Sequence, residues 1–335
     1  MIIIAHRGAS GERPEHTLAA YDRAIEQGAD YIEPDLVPTR DGVLVARHEN
    51  EISGTTNVAD HPEFAARLTT RVIDGVEMTG WFTEDFTLAE LRTLRARERL
   101  PELRVANTAF DGLYQVPTFA EVIALVKARE AETGRRIGIY PEIKHPAYFS
   151  AIGVDLAAML VEQLHGAGYA KAGDPVFIQS FEIAPLVRLA GMTELPLIQL
   201  MSSEGGPADD LAKTYAEMIT PEGLRAIAGY ADGIGVSLDL LLDAEGAPTG
   251  LVAAAHEAGL LVHGWTLRKE NAFLPVGLRL GDHPAGQGHI ALYWCQLVDS
   301  GIDGLFTDDP GPVVMLHKAG PSAATPCSRQ AEPPQ

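Results

Sequence analysis

Eight short apolar runs recur along the chain, at 2–6, 31–36, 137–143, 175–181, 196–201, 233–237, 260–266 and 303–307. Between them lie segments of helical periodicity, at 17–27, 118–133, 152–167, 183–190, 220–230, 250–258 and 289–300. Strands that alternate with helices cannot join as tight hairpins; each crosses over to a parallel neighbour, and the helices then cover the sheet. Eight such units fit an α/β fold of the (β/α)8 TIM-barrel type, with an open doubly wound sheet as the alternative. A chain of 335 residues with 46% hydrophobic content can fill one such barrel and still carry an added segment.

Two stretches break the rhythm. In the first, Arg40-Asp41-Gly42-Val43 reads as a two-residue hairpin turn at Asp41-Gly42. That turn predicts Val45 opposite Pro38 and His48 opposite Asp35, which folds His48 back over the preceding strand. The second stretch, residues 50–116, holds no strand of the barrel rhythm. It has one helix expected at roughly 87–97 and the aromatic run Gly80-Trp81-Phe82-Thr83-Glu84-Asp85-Phe86. A connection this long in a compact domain is expected to be a small inserted subdomain or lid, here after the second strand. The barrel domain is thus expected over 1–318, and the Pro/Ser/Ala/Gln-rich residues 319–335 as a disordered tail.

Charge narrows the partners. With 26 basic against 46 acidic residues the formal net charge is −20, a field that repels phosphate backbones and argues against nucleic acid. An anionic small substrate would need positive charge supplied locally. No run of apolar residues is long enough for a transmembrane segment. No basic leader or cleavage site precedes the first strand, so the chain as written is expected to be cytoplasmic, or periplasmic or secreted if an upstream segment is missing. Of the two cysteines, Cys295 lies in an apolar run and Cys327 in the polar tail, and no disulfide is expected. A homodimer stays open.

The strand ends carry ionisable groups. Ile2-Ile3-Ile4 runs into His6-Arg7-Gly8; Glu33 and Asp35 lie two apart on the second strand, and Glu142 and Lys144 two apart on the third. Strand side chains alternate between faces, so each pair points one way. Three carboxylates without a cysteine cluster form an oxygen-rich set, suited to a divalent Mg2+ or Ca2+ ion rather than zinc. His48-Glu49 and His256-Glu257 also fail the H-E-x-x-H zinc pattern. There is no Walker A loop and no G-x-S-x-G elbow. Gln179, at the end of the fourth strand, suits substrate contact or core packing equally, and Trp265 on the seventh reads as part core, part pocket wall.

Taken in order, His6-Arg7-Gly8, Pro14-Glu15-His16-Thr17, Glu33-Pro34-Asp35, the His48 hairpin, Glu142-Ile143-Lys144, Gln179-Ser180-Phe181 and Trp265-Thr266 resemble the glycerophosphodiester phosphodiesterase family over residues 2–310. The insertion, the Thr79–Phe86 segment and Pro141–Pro146 look like that family's longer bacterial branch, typically calcium-dependent and often exported. The resemblance implies a (β/α)8 barrel that cleaves glycerophosphodiesters to sn-glycerol 3-phosphate and an alcohol. It implies His6 and His48 as the acid–base pair, and Glu33, Asp35 and Glu142 as ligands of one cation, Ca2+ before Mg2+. Arg7 and Lys144 match phosphate contacts, with Gln179, Phe181 and Trp265 in the substrate wall. Two positions depart from many relatives: His16 stands where Asn is common, and Glu49 where Asp follows the histidine. Alternatives on the same scaffold are a phosphodiesterase of lysophospholipids, sphingomyelin or glycerophosphate polymers, a non-catalytic phosphodiester-binding protein, and a metal-dependent sugar isomerase.

Overall fold

A computed structural model describes residues 1–320. The remaining positions, including Cys327 and nearly all of the expected tail, lie outside the described residues, and with them the expectation about cysteine pairing. Among the described residues the eight expected strands form one barrel: β1 (Ile2–His6), β2 (Tyr31–Glu33 continuing as Asp35–Pro38), β3 (Gly138–Ile139 continuing as Glu142–Ile143), β4 (Ile178–Ser180), β5 (Leu197–Met201), β6 (Gly233–Ser237), β7 (Leu261–Leu267) and β8 (Gly304–Thr307). Consecutive strands pair in parallel from β1 to β8, and β8 pairs back with β1, Ile4 opposite Phe306, which closes the cylinder. The breaks in β2 and β3 fall at Pro34 and Pro141, which have no N–H to give to the ladder.

A helix follows each strand: α1 (Leu18–Gln27), α2 (Phe119–Thr133), α3 (Leu156–Gly166), α4 (Ile183–Leu189), α5 (Pro221–Ile227), α6 (Leu251–Glu257), α7 (Ile290–Asp299) and α8 (Pro310–Ala319). Their starts are written in the sequence. Thr17 caps α1 by accepting from the Ala20 N–H, and Thr118 with Glu121 makes a reciprocal capping box at α2. The barrel interior is packed by Ile4, Tyr140, Ile198 and Phe306, with the Tyr140 hydroxyl on His263 Nδ1 at 2.6 Å; the larger core lies between strands and helices.

Several local expectations needed correction. The hairpin after β2 pairs Leu36 with Ala46, Val37 with Val45 and Pro38 with Leu44, one residue off the expected register. The turn spans Arg40-Asp41-Gly42, closed by Thr39 N–H to Val43 O at 2.9 Å, with Gly42 at φ 76°. A three-residue loop ending in a left-handed glycine replaces the two-residue turn, so Arg47, not His48, stands beside Asp35. The helix expected at 87–97 stops at Leu91, because Arg95 and Ala96 pair with Asn57 and Thr56 instead. The segment at 152–167 begins as a helix only at Leu156, after Gly153 at φ 83°, with a separate short helix at Pro146–Ala151. Helix α8 was not foreseen; it closes the expected domain and reaches the tail only at Ala319. The insertion carries a hairpin, Thr69–Ile73 with Val76–Gly80, turned at Asp74-Gly75. No described helix is long and apolar enough to cross a membrane.

Candidate active site

The strand ends converge at the C-terminal mouth of the barrel. Carboxylate oxygens of Glu33, Asp35 and Glu142 lie within 4.8 Å of one another, and all three residues are buried. Pro34 and Pro141 stiffen the backbone next to them. Asp35 Oδ2 meets His16 Nε2 at 2.8 Å, while Oδ1 has no partner. Glu33 accepts from the Arg7 backbone N–H at 2.8 Å and from Gln179 Nε2 at 3.2 Å. Glu142 pairs with Lys144 Nζ at 2.8 Å.

Three buried acids this close cannot all ionise unaided. Burial, then the charges of Asp35 and Glu142, push the Glu33 carboxyl well above its ordinary range. Burial, opposed by Lys144 and reinforced by Asp35, pushes Glu142 up to about 8. Burial also acts to raise Asp35, but Lys144, His48 and His16 outweigh it and hold that carboxyl well below its usual value. The cluster therefore lacks positive charge, and with its oxygen-only donors and the unpartnered Asp35 Oδ1 it fits a hard divalent cation.

Two histidines face the same cavity, each held through Nδ1 by a carboxylate. His6 Nδ1 is 2.6 Å from Asp308 Oδ1, which fixes the proton there and leaves Nε2 as the acceptor; Arg7 Nε donates to it at 3.2 Å. His48 Nδ1 bonds Glu49, and its Nε2 faces Lys144 Nζ at 3.4 Å. Burial, then Arg7, lowers His6 to about 4; burial, then Arg7 and Lys144, lowers His48 to about 3. His48 reaches the cavity despite the shifted register, because the return strand ends at Ala46 and the chain leaves the ladder.

Arg7, at φ 60°, bends off the end of β1 so that its guanidinium spans Glu15 (3.0 Å) and Asp35 (3.5 Å). The cavity holds about 230 Å³ and reaches Gln179, Phe181 and Trp265, the last two packed edge to face with centroids 5.7 Å apart. All ten residues singled out in the sequence thus gather at one mouth.

Others were missed. Asp308 stands one residue past β8 and receives Arg104 at 2.5 Å and Arg268 at 2.8 Å. Burial acts to raise its pKa, but Arg268, Arg104 and His6 hold it well below the usual carboxylate range. An acid just after a strand was a signal available in Thr307-Asp308, of the same kind as Glu33 and Glu142. Arg104 comes from the insertion and also meets Glu270 at 2.7 Å; nothing in its sequence neighbourhood points there. Arg99, also from the insertion, holds Glu49 at 2.7 Å and Glu15 at 2.8 Å.

A model of the glycerophosphoryl diester phosphodiesterase family matches residues 6–312. A glycerophosphodiester phosphodiesterase of Arabidopsis thaliana is 40% identical over 324 residues, 92% of this chain and 83% of that protein. One of Haemophilus influenzae is 31% identical over 95% of this chain and 90% of its own length. Among solved structures, a glycerophosphodiester phosphodiesterase of Agrobacterium tumefaciens superposes with TM-score 0.60 at 20% identity, covering 94% of this chain and 99% of its own. An Oleispira antarctica phosphodiesterase, solved with its product sn-glycerol-3-phosphate, gives TM-score 0.62 at 20% identity, covering 95% of this chain and 97% of its own. At these identities the two structures bear on the fold alone.

Proposed function

The chain belongs to the glycerophosphoryl diester phosphodiesterase family, and from that premise we propose that it hydrolyses glycerophosphodiesters to sn-glycerol 3-phosphate and an alcohol, using a histidine pair and one divalent cation. The observation that carries this reading is the meeting of three charge-deficient carboxylates with two imidazoles, each imidazole oriented by an acid on its far nitrogen. Glu33, Asp35 and Glu142 would hold the cation, which when bound supplies charge to neutralise the phosphate in the transition state. Calcium is favoured over magnesium by the likeness to the longer bacterial branch.

Arg7 and Lys144 bring the positive charge that the −20 surface withholds, Arg7 as a planar fork and Lys144 as a point charge. His6 Nε2, unprotonated while Asp308 keeps the proton on Nδ1, is suited to take a proton from the attacking oxygen. His48 Nε2, beside Lys144, is suited to give one to the departing alkoxide once the anionic substrate has raised its basicity. The pair predicts a bell-shaped profile of kcat, its acid limb displaced below the ordinary histidine range as burial and Arg7 displace His6, and its basic limb set by His48 once substrate is bound. A profile flat from acid to neutral pH would remove the histidines from proton transfer.

The test is release of sn-glycerol 3-phosphate from glycerophosphocholine by chelator-stripped protein, with calcium or magnesium added back. Release restored by either ion supports the reading; release undiminished by the chelator removes the cation from it. A second measurement isolates the ligands. Because Glu142 in the fold has a pKa of about 8 against an ordinary 4.5, the chelated fold holds a proton that the unfolded chain releases. Its stability therefore falls as pH rises from 4.5 towards 8. A cation that displaces that proton should raise Tm more at the top of this window than at the bottom. A gain independent of pH takes Glu142 out of the ligand set.

A further inference from the structure

On the far side of Phe181 and the Glu142–Lys144 pair a second cavity, of about 320 Å³, adjoins the first. One wall belongs to the insertion: Asp74, at the tip of its hairpin, meets His145 Nδ1 at 2.6 Å. Phe181 and Tyr215 form another wall, their rings tilted at 58° with centroids 6.3 Å apart. Glu182 completes it. Only 2% exposed, Glu182 spends Oε2 on the Ala147 N–H at 2.9 Å, and its Oε1 has no partner. Burial, then Asp74 and Asp209, push its pKa up to about 8, so no cation of the protein offsets it. Lys144, the lysine on this wall, is already held by Glu142. The cavity thus offers a buried carboxyl that holds its proton for want of a cation, with one oxygen unpartnered, and the aromatic ring of Tyr215, beside a site whose other features attract phosphate.

We propose that this cavity receives the alcohol arm of the diester and selects a primary ammonium head group, as in glycerophosphoethanolamine, through the Glu182 carboxylate. The inference rests on the phosphodiesterase reading and adds a head-group choice to it. An ammonium brings the positive charge for want of which Glu182 holds its proton, and it sits well over the ring face of Tyr215, the Phe181 ring already having Lys144 Nζ 5.6 Å from its centroid. It must carry N–H groups, because only a donor satisfies Oε1; a trimethylammonium has none. A glycerol or inositol head has a donor but no charge, and leaves the acids uncompensated.

The experiment uses the full chain with its divalent cation and compares kcat/KM for glycerophosphoethanolamine, glycerophosphocholine and glycerophosphoglycerol. The ethanolamine ester should lead, and Glu182→Gln, which keeps an acceptor for the Ala147 N–H, should collapse its lead over the glycerol ester roughly 10- to 100-fold, the range of a charged hydrogen bond. A ratio unmoved by Glu182→Gln, or a choline or glycerol ester turned over as efficiently by the unaltered protein, overturns the head-group site alone. Hydrolysis of none of the three esters overturns the phosphodiesterase reading, and this inference with it.

Discussion

With His6 replaced by alanine, kcat for diester cleavage falls by about 10^2–10^4-fold, and His48→Ala has an effect of the same order. Neither change should unfold the protein. Asp308, the acid that His6 leaves behind, still has Arg104 at 2.5 Å and Arg268 at 2.8 Å, so no buried charge is stranded. Glu49 likewise keeps Arg99 at 2.7 Å when His48 is removed. Steady-state release of glycerol 3-phosphate, read beside a thermal melt, separates chemistry from folding. The double variant should lose little beyond either single one, because two groups that act in one proton circuit are not additive. Turnover near normal in either single variant, with the fold intact, assigns the proton transfers elsewhere.

Arg104→Leu is expected to cost about 3–5 kcal/mol of stability, the usual penalty for removing one partner of a buried ion pair, and to lower kcat as well. The stability loss comes chiefly from Glu270, which is buried and whose Oε2 already lacks a partner; without Arg104 its Oε1 contact at 2.7 Å is lost too. The activity loss comes through Asp308. Arg268 and His6 remain on that carboxylate, but Arg104 also bonds the Ser10 carbonyl at 3.1 Å, and so ties the insertion to the β1–α1 loop that carries Arg7. Denaturant unfolding gives the first quantity and turnover under saturating substrate the second. Arg104→Lys should recover part of each, since an ammonium restores charge without the planar fork. A stability change below about 1 kcal/mol would show that the network is solvated and not holding the insertion down.

What the sequence made legible followed from strong local rules. The barrel strands announce themselves as apolar runs because both of their faces are buried. Glu33 with Asp35, and Glu142 with Lys144, were placed together by the two-residue period of a strand, and the structure brings each pair to the same mouth. The hairpin shows where such rules stop. Asp41-Gly42 looks like a two-residue turn, but the chain adds Arg40 to the loop, and that one residue shifts every pairing after it. Arg104 and Arg99 were not legible at all. Their partners lie on other loops, up to 204 positions away for Asp308, and no local period encodes such a contact. The second half of the 87–97 helix failed for the same reason, its backbone claimed by Asn57 and Thr56.

The His6–Asp308 hydrogen bond joins positions 302 apart in the chain, across the seam where β8 meets β1. That seam joins the first strand to the last, so it can close only after the whole barrel has been synthesised. A chain still emerging from the ribosome would therefore carry the full carboxylate cluster, complete once β3 is made, and yet lack the carboxylate that holds His6 Nδ1. With His6 as the proposed base, catalytic competence would arrive last, with the final strand, and turnover itself would become a clock for completed folding. A circular permutant that opens the barrel elsewhere and joins β8 to β1 would turn the seam into an early, local contact, and should gain activity sooner along its refolding course than the natural order does.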